Sequence, residues 1–314
     1  MSRGSNSYAG PIRLLNVVNT VSIEVPAPLA ELTVLREGEA GRAWLAALPG
    51  LVDRLCEEWR LQIDGPPRHG GAGLITPVSR EADRYALKVS WPNAEVELEI
   101  RALSAWAGHG TVRLVDERPA DGACLLDWID SDRTLADVPI DKALTEAARL
   151  IRRLAIPAPP GFPRLSELTQ EWLTTQDARS ARLGGVVPGR ALARVREACT
   201  ELGPTAAEVM VNRDLHYENV VDGGDSWVVV DPKPVVGDPE FALAPLLWRR
   251  LEETGGQAGL DRRLRRLLDG AGLDERRARG WILLYTVDYW LWGLEVGLTE
   301  DPVRCGAIVD WLLE

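Results

Sequence analysis

The stretch VMVNRDLHYENVVDGGDSWVVVDPKPVVGDPEF, from Val209 to Phe241, sets polar side chains between short apolar runs. Two of these runs flank a Gly-containing turn at residues 222–225, a pattern that predicts a hairpin of two short strands. The hairpin would bring Asp231, at the end of its second strand, beside Asn219, at the start of its first. Asp214 precedes Asn219 by one short loop, so the sequence predicts that these three oxygen-bearing side chains converge.

The three side chains have the chemistry of a phosphoryl-transfer site. Hard oxygen ligands suit Mg²⁺, which binds through one or two carboxylates together with substrate phosphates. An Asp, four residues, an Asn and a later Asp follow the order of a kinase catalytic loop. Asp214 would then lie beside the attacking hydroxyl, and Asn219 and Asp231 would hold the metal. Each of them alone is typical of an ordinary turn, so it is the combination that favours the catalytic interpretation.

A positive charge for the nucleotide phosphates is available upstream. Lys88 lies in a predicted apolar strand and is one of only three lysines in the chain. A Gly-rich turn that contains Gly71 and Gly73 precedes it, and the backbone of such a turn is able to lie over phosphates. On the following helix Glu95 and Glu99 share a face at i, i+4 spacing. Glu99 is the preferred carboxylate partner of Lys88, with Glu95 as the alternative.

The whole chain has 314 residues, a length that is long for one core and natural for two lobes. The first part alternates helices and strands: a helix from about Ala40, strands at Leu74–Val78 and Tyr85–Trp91, a helix from Ala94, and two further strands in TVRLVD and ACLLDWI. The second part is mostly helical, with predicted helices at 141–155, 165–183, 189–202, 244–253, 262–270 and 276–297.

The predicted fold class is therefore α+β, with a small mixed N-lobe built on an antiparallel sheet and a larger, mostly helical C-lobe. Residues 1–21 are polar and unpatterned and are predicted to be a flexible tail. Residues 22–129 form the predicted nucleotide-binding N-lobe, and residues 130–314 the C-lobe with the catalytic loop and the substrate site.

The motifs DLHYEN and DPKPVVGDPEF together resemble the aminoglycoside/hydroxyurea antibiotic-resistance kinases, the group that contains streptomycin 6-phosphotransferases. The segments GRAWLAALPGLVDRLCEEWRL, ALKVSWP, RALSAWAGHGTVRLVD and DYWLWGLEVG also resemble that family, in its order. The similarity covers roughly residues 22–314. The run DPKPVVGDP is highly specific for the family, whereas the Asp–Asn spacing alone is moderately specific.

The resemblance implies a bilobal protein-kinase-like fold, ATP with Mg²⁺, and O-phosphorylation of a small hydroxylated molecule. Carried over residue by residue, it makes Asp214 the catalytic Asp, Asn219 and Asp231 the Mg²⁺ ligands, and Lys88 the phosphate-binding Lys. Residues 125–129 would be the hinge that holds adenine, mainly through backbone groups, with Leu126, Asp127 and Trp128 at its centre.

Two positions depart from the family pattern. The family commonly has His-Gly before the catalytic Asp, whereas this chain has Asn212 and Arg213. Arg213 matches the Arg of eukaryotic protein kinases, so it stays a candidate catalytic-loop residue, while Asn212 keeps hydrogen-bonding capacity without titrating. Ala242 stands where related kinases often have an Asp whose role is structural, so this second departure leaves the chemistry intact.

The predicted helix near the C-terminus carries a candidate substrate surface. A stripe of aromatic and acidic residues lies beside its apolar packing stripe, and acids with ring faces suit a polar or cationic ligand. The alternative is a helix face that loops cover. The stripe consists of Tyr285, Asp288, Trp292 and Glu295, with Asp288 the preferred contact.

Two further residues of the opening stretch each have two alternative roles. His216 lies inside the predicted catalytic loop, where a structural bond to the loop backbone is preferred over general-base chemistry. Lys233 could contact phosphate or product, and an ordinary solvated or ion-paired lysine is an equal alternative.

Composition narrows the possible partners. The formal net charge of −11 without a basic stripe argues against nucleic acid and is compatible with a cationic small substrate, although solubility also explains it. No apolar run approaches a membrane span, and no signal peptide is recognisable. The four cysteines have no paired spacing, which is typical of reduced thiols in a cytoplasmic protein.

These observations predict an ATP- and Mg²⁺-dependent small-molecule O-phosphotransferase, with a streptomycin-like aminoglycoside or related antibiotic as the foremost substrate class. One alternative is a kinase of a sugar, an amino sugar or a biosynthetic intermediate of a natural product. The other is a nucleotide-binding pseudokinase that acts as a regulatory module. The oligomeric state is not predictable from these patterns.

Overall fold

The computed structural model describes residues 23–70 and 73–314. The strands are β1 (Gln62–Ile63), β2 (Arg68–His69), β3 (Gly73–Arg80), β4 (Asp83–Ser90), β5 (Leu114–Arg118), β6 (Ala123–Asp127), β7 (Val209–Asn212), β8 (Val220–Asp222), β9 (Trp227–Val229) and β10 (Pro234–Gly237). The helices are α1 (Ala27–Trp59), α2 (Ala94–Trp106), α3 (Ile140–Leu154), α4 (Leu165–Arg182), α5 (Gly189–Leu202), α6 (Leu243–Trp248), α7 (Gln257–Ala271), α8 (Glu275–Glu295) and α9 (Glu300–Leu313).

The N-terminal part is an antiparallel sheet in the order β1-β3-β4-β6-β5, with β2 also paired to β3. Because side chains alternate along a strand, the two faces of this sheet pack against different helices. Leu87 and Val89 of β4 pack with α1 in one apolar cluster. Ala86, one position earlier, joins the cluster that α2 builds around Ile100 and Leu103. The same alternation turns Lys88 away from α1 and towards α2.

Two local features define the helices that cover the sheet. Helix α1 begins at Ala27, earlier than the predicted start near Ala40, because two helical segments join across Gly38, whose φ of 61° and ψ of −130° are not helical. Helix α2 begins where the sequence predicts. The side chain of Asn93 accepts a hydrogen bond from the backbone N–H of Val96, the arrangement that favours a helix start.

The C-terminal part is helical apart from two small antiparallel pairs. Strand β7 pairs with β10, and β8 pairs with β9 through Val220 opposite Val229, which is the predicted hairpin. The predicted helix at 244–253 instead ends at Trp248, because Arg250 has a left-handed φ of 56°. Helix α9 was not predicted from the sequence. It packs against α8, and this contact completes the C-terminal core.

The sheet and the helices together give the α+β, protein-kinase-like architecture that the sequence predicts. The expected tail at residues 1–21 lies outside the described residues, and the lobe boundary at residue 129 stays a prediction. No described helix combines the length and the apolar character needed to cross a bilayer. All four cysteines are buried and free, in line with the predicted reduced thiols.

Candidate active site

Lys88 joins the sheet to the hairpin through two carboxylates. Its Nζ lies 2.5 Å from Glu99 Oε1 on α2 and 2.7 Å from Asp231 Oδ1, just after β9. Glu99 is therefore the acid that contacts Lys88. Glu95, one turn earlier on the same helix, lies 3.8 Å from a guanidinium nitrogen of Arg213 instead. The side chains of Lys88 and Glu99 are 12% and 9% exposed, so these two side chains are nearly closed to water.

The charges of this cluster stabilise one another. Burial lowers the pKa of Lys88, but the carboxylates of Glu99 and Asp231 outweigh that effect and hold it above its ordinary value. Lys88 lowers the pKa of Asp231 against the effect of burial, and Lys233 adds to the lowering. Burial raises the pKa of Glu99, and Lys88 opposes that rise. Lys88 is therefore a permanent cation held between two acids.

The hairpin places Asn219 and Asp231 side by side. The backbone N–H of Val230 donates to the carbonyl oxygen of Asn219 at 2.9 Å. Asp231 follows with φ 54°, a left-handed conformation that is uncommon for a residue with a side chain. Such strain persists where the surroundings determine the conformation, and here Lys88 holds the Asp231 carboxylate.

The donor set at this point suits a hard cation. Asn219 and Asp231 offer amide and carboxylate oxygens, and the Asp231 side chain is 45% exposed. Within residues 23–70 and 73–314, no three His, Cys, Asp or Glu side chains form a ready-made metal cluster. One carboxylate with one amide and no full protein cage is the ligand pattern typical of Mg²⁺ bound together with phosphates.

The loop between β7 and β8 is held by the side chain of Asn212. Its Oδ1 accepts the backbone N–H of Asp214 at 3.1 Å and the backbone N–H of Lys233 at 3.0 Å. The backbone N–H of Arg213 donates to the carbonyl oxygen of Lys233 at 2.9 Å. Asn212 is 1% exposed, so these bonds are shielded from water. A side chain that cannot titrate thus ties the loop to the segment after Asp231.

The carboxylate of Asp214 has two basic neighbours. Lys233 Nζ lies 3.0 Å from Asp214 Oδ2, and His216 Nε2 lies 3.9 Å from Oδ1. The other ring nitrogen of His216 lies 2.8 Å from Glu218 Oε2, so the predicted bond from its ring to the loop backbone is replaced by a bond to a side chain. This bond, against the effect of burial, lowers the pKa of Glu218 to about 2.

A first cavity, of about 280 Å³, opens between the sheet and the hairpin. Lys88, Asn219 and Asp231 line it, and so do the predicted hinge residues Leu126, Asp127 and Trp128. We call it the nucleotide-side cavity.

The hinge backbone is already partly engaged. The N–H of Asp127 donates to the carbonyl oxygen of Arg113 at 3.0 Å, and the N–H of Trp128 donates to that of Arg84 at 3.3 Å. The carboxylate of Asp127 also accepts two bonds from the Arg113 guanidinium, both at 2.7 Å. The predicted hinge therefore lines the cavity, with these groups bonded to neighbouring protein groups.

The Gly-rich turn is only partly described. Gly71 lies outside the described residues. Gly73 borders the nucleotide-side cavity, and a Cβ at this position would overlap the hydroxyl of Ser90 on β4. Close packing of β3 on β4 therefore explains this glycine without a ligand.

A second cavity, of about 560 Å³, lies on the other side of the loop between β7 and β8, and we call it the acceptor-side cavity. Asp214, Arg213 and Lys233 line this cavity together with Tyr285, Asp288 and Trp292 of α8. The contact of these α8 residues with a substrate stays a prediction. Trp292 is 44% exposed, and Tyr285 is buried against Phe241 with ring centroids 4.5 Å apart.

The two acids of the predicted stripe are already paired. Arg179 of α4 bonds Asp288 Oδ1 at 2.6 Å and both carboxylate oxygens of Glu295, at 3.1 and 2.8 Å. Gln176 donates a further bond to Asp288 at 3.1 Å. Glu295 does not line the acceptor-side cavity, and its carboxylate is paired with Arg179, so its contact with substrate stays a prediction. Burial raises the pKa of Asp288, and Arg179 opposes the rise.

Sequence reasoning missed the contribution of α4. Arg179, Arg182 and Glu171 all line the acceptor-side cavity, and they recur at helical spacing along α4. This periodic signal marks one helix face, but it does not say which cavity that face borders. A second missed residue is Asp238, which is 3% exposed and accepts bonds from Arg277, from the Trp281 indole and from the Ala207 backbone N–H.

Residues 58–297 match the profile of the aminoglycoside/hydroxyurea antibiotic resistance kinase family. The chain is 39% identical over 298 residues to a streptomycin 6-kinase of Streptomyces griseus, an alignment that covers 92% of this chain and 97% of that protein. It is 35% identical over 299 residues to a hydroxyurea phosphotransferase of Kitasatospora aureofaciens, covering 93% and 86% respectively.

Solved structures show the same fold. A crystal structure of the aminoglycoside phosphotransferase APH(4)-Ia superposes with a TM-score of 0.56 at 18% identity, covering 83% of this chain and 98% of that one. The choline kinase LicA of Streptococcus pneumoniae gives the same TM-score at 14% identity, covering 84% and 98%. The chain belongs to the aminoglycoside/hydroxyurea antibiotic resistance kinase family and is a nucleotide-binding small-molecule phosphotransferase.

Proposed function

We propose that this kinase transfers the γ-phosphoryl group of ATP, with Mg²⁺, to a hydroxyl of a streptomycin-like aminoglycoside. The observation that carries the proposal is the position of Asp214. It lies in the wall of the acceptor-side cavity, on the same short loop that supplies Asn219 to the nucleotide-side cavity. A hydroxyl in one cavity and a phosphate in the other would therefore meet at this loop.

The nucleotide phosphates would lie at the Lys88 end of the nucleotide-side cavity. Lys88 would contact them as a fixed cation that Glu99 orients. Adenine would lie towards Leu126, Asp127 and Trp128, where apolar side chains such as Ile75 and Val112 complete the walls.

Asn219 and Asp231 would hold Mg²⁺, which neutralises developing phosphate charge when it is bound. Asp231 is suited to this role because Lys88 holds its pKa below the ordinary value, so the carboxylate stays ionised. Asn219 adds a neutral side-chain oxygen, and its backbone carbonyl accepts the N–H of Val230, which keeps Asn219 next to Asp231.

Asp214 would orient the acceptor hydroxyl and take its proton late in the transfer. The transition state of phosphoryl transfer is loose, so positioning contributes more than strong base catalysis. Asn212 supports that positioning, because its side chain fixes the Asp214 backbone. Arg213 lies beside Asp214 and borders the same cavity, where its guanidinium is 37% exposed and would contact the bound acceptor.

The acceptor-side cavity fits a large polar cation with hydroxyl groups. Glu171 is exposed on its rim, and no ion pair engages it within the described residues. Glu95 is paired only at 3.8 Å and is 71% exposed. Trp292 offers an open ring face for a cationic group. Streptomycin carries several hydroxyls and guanidinium groups, and the relative from Streptomyces griseus is named for its phosphorylation.

The test is ADP release coupled to a reporter reaction, with Mg·ATP and a panel of streptomycin, other aminoglycosides, hydroxyurea and amino sugars. Asp214→Asn removes the charge of the proposed base. Asp225→Asn is the matched control, because Asp225 is exposed in the hairpin turn, away from the acceptor-side cavity.

We expect streptomycin-dependent ADP release from the wild type and from the Asp225 variant. Asp214→Asn should lower kcat by about 10²–10⁴-fold, the range for a general acid or base, without loss of Mg·ATP binding. If hydroxyurea were the only acceptor in the panel to be phosphorylated, the substrate would be that of the relative from Kitasatospora aureofaciens and not an aminoglycoside. Mg·ATP binding with no acceptor-dependent release from any compound would contradict the proposal.

A further inference from the structure

We propose that Lys233 is a catalytic residue that leaves Asp214 during the reaction and donates to the phosphoryl group in transfer. This inference rests on the proposed function, because it places the acceptor hydroxyl at Asp214. In the free enzyme the ammonium of Lys233 lies 3.0 Å from Asp214 Oδ2. Within the described residues no other lysine and no arginine lies within ion-pair distance of that carboxylate.

The backbone of Lys233 is held at both of its polar groups. Its N–H donates to Asn212 Oδ1 at 3.0 Å, and its carbonyl oxygen accepts the N–H of Arg213 at 2.9 Å. Pro232 and Pro234 flank it, and each fixes its own φ. The base of the side chain is therefore rigid, while its end is 46% exposed in the acceptor-side cavity. Only the flexible methylene stem has to move for the ammonium to reach a new partner.

Lys233 lies where the two cavities approach each other along the chain. It follows Asp231 by two residues, and Asp231 borders the nucleotide-side cavity. Its ammonium, however, lies on the acceptor side with Asp214. A phosphoryl group that passes from one cavity to the other must cross the loop that these residues share. Lys233 is thus a cation along that route.

Two of the other cations that line the cavities have close partners, whereas Arg213 lies 3.8 Å from Glu95. Lys88 is held between Glu99 and Asp231. Arg179 is held by Asp288 and Glu295. Lys233 has the single carboxylate of Asp214, and that carboxylate is the group that would bind the acceptor hydroxyl.

The chemistry explains why Lys233 would change partners. The acceptor oxygen forms a bond to the γ-phosphorus while the bond from that phosphorus to the β,γ-bridging oxygen breaks, and ADP leaves with the electron pair. The hydroxyl proton passes to Asp214. The spread negative charge on the phosphoryl oxygens, which develops before that proton transfer is complete, attracts the ammonium away from Asp214. Lys233 would stabilise that charge, since a donor placed where charge develops accelerates the step.

The experiment compares Lys233→Met and Lys233→Arg with Lys142→Met. Methionine keeps an unbranched stem without the charge. Lys142 is the matched control, because it is an exposed lysine on α3, near Trp227 and away from both cavities. Two readouts are taken: steady-state kcat and KM with Mg·ATP and the acceptor, and the gain in Mg·ADP affinity on adding aluminium fluoride, measured by calorimetry. Aluminium fluoride with ADP mimics the phosphoryl group in transfer, and transition-state mimics bind more tightly than substrates.

We expect Lys233→Met to lower kcat by about 10²–10³-fold, the range for one charge-stabilising donor, with the KM for ATP unchanged. The Lys233→Met variant should keep its Mg·ADP affinity, which would also show that it folds. The factor by which aluminium fluoride increases its Mg·ADP affinity should be smaller than in the wild type by about tenfold or more, the size expected for one charged hydrogen bond. Lys233→Arg should keep part of the wild-type kcat and part of the wild-type fluoride gain. Lys142→Met should match the wild type in both.

An equal fluoride gain in the wild type and in Lys233→Met would overturn the proposal, even if kcat falls, because it would leave Lys233 as a neutraliser of Asp214 only. The fluoride readout needs no acceptor. A Lys233-dependent fluoride gain without turnover of any acceptor would therefore refute the proposed substrate class and leave the role of Lys233 standing.

Discussion

The two cavities are built in different ways. In the nucleotide-side cavity, Lys88 is nearly closed to water and has two carboxylate partners at 2.5 and 2.7 Å. In the acceptor-side cavity, Lys233 is half-exposed and has the single partner Asp214. A closed, doubly held cation stays where it is when a ligand binds, whereas an open, singly held one can change partners. The comparison indicates one rigid side, where we propose that the nucleotide binds, and one adaptable side, where we propose that the acceptor binds.

Among three further substitutions, the one on the rigid side should have the largest effect. Glu99→Gln removes a charged bond to Lys88, and such bonds contribute about 1.5–3 kcal/mol, so kcat/KM for ATP should fall by about tenfold or more. Glu95→Gln is the matched control one turn away, and it should leave ATP kinetics unchanged. The measurement is steady-state kinetics at saturating acceptor. Equal losses in the two variants would erase the distinction between these acids.

A smaller effect should appear on the adaptable side. Trp292 is 44% exposed in the acceptor-side cavity, and Trp292→Ala should raise the KM for a cationic acceptor by a few-fold, in line with about 0.5–1 kcal/mol for an exposed cation–π contact. The KM for ATP should not change. Val296→Ala alters an exposed apolar residue just beyond the same helix, outside this cavity, and serves as the control. A change in the KM for ATP with Trp292→Ala would contradict the separation of the cavities.

The smallest effect concerns the ion pair behind the acceptor-side cavity. Arg179 lowers the pKa of Glu295 below its ordinary 4.5, against a small opposing effect of burial. A lowered carboxyl pKa means that the pair stabilises the folded state above pH 4.5 and that this stabilisation is lost as the pH falls through the folded pKa. Glu295→Gln should therefore lower the free energy of unfolding near neutral pH by a few tenths to about 1 kcal/mol.

The measurement is denaturant unfolding of the wild type and Glu295→Gln across an acid series. The difference between the two should shrink as the pH falls below 4.5. A difference that stays constant with pH would show that the Arg179–Glu295 pair contributes through packing and not through charge.

Much of the fold and of the nucleotide side could be predicted because the signals are local. The strand alternation around Lys88 decides which face of the sheet it occupies, and the hairpin at residues 220–229 decides that Asn219 lies beside Asp231. Local signals failed where a single residue breaks a pattern. Gly38 lies where two helical segments merge into α1, and the left-handed conformation of Arg250 prevents α6 from continuing far beyond Trp248.

The acceptor side was less predictable because its contacts join distant elements. The stripe of α8 was recognised from its spacing, but its acids were expected to face a ligand. Arg179, more than a hundred residues earlier, binds both Asp288 and Glu295 instead. Helical spacing tells which residues share a face, and it carries no information on which helix packs against that face.

The sequence by itself determined the family and the α+β fold class. It also predicted which residues form the candidate site, Lys88, Asp214, Asn219 and Asp231, because their placement depends on spacing within one strand, loop or hairpin. Only the tertiary structure decided that Glu99 and not Glu95 holds Lys88, and that Lys233 holds Asp214. It also decided that Arg179 pairs with Glu295, which does not line the acceptor-side cavity. The physical reason is that an ion pair needs two charged ends within a few ångströms, and for residues on different elements only the packing of those elements sets that distance.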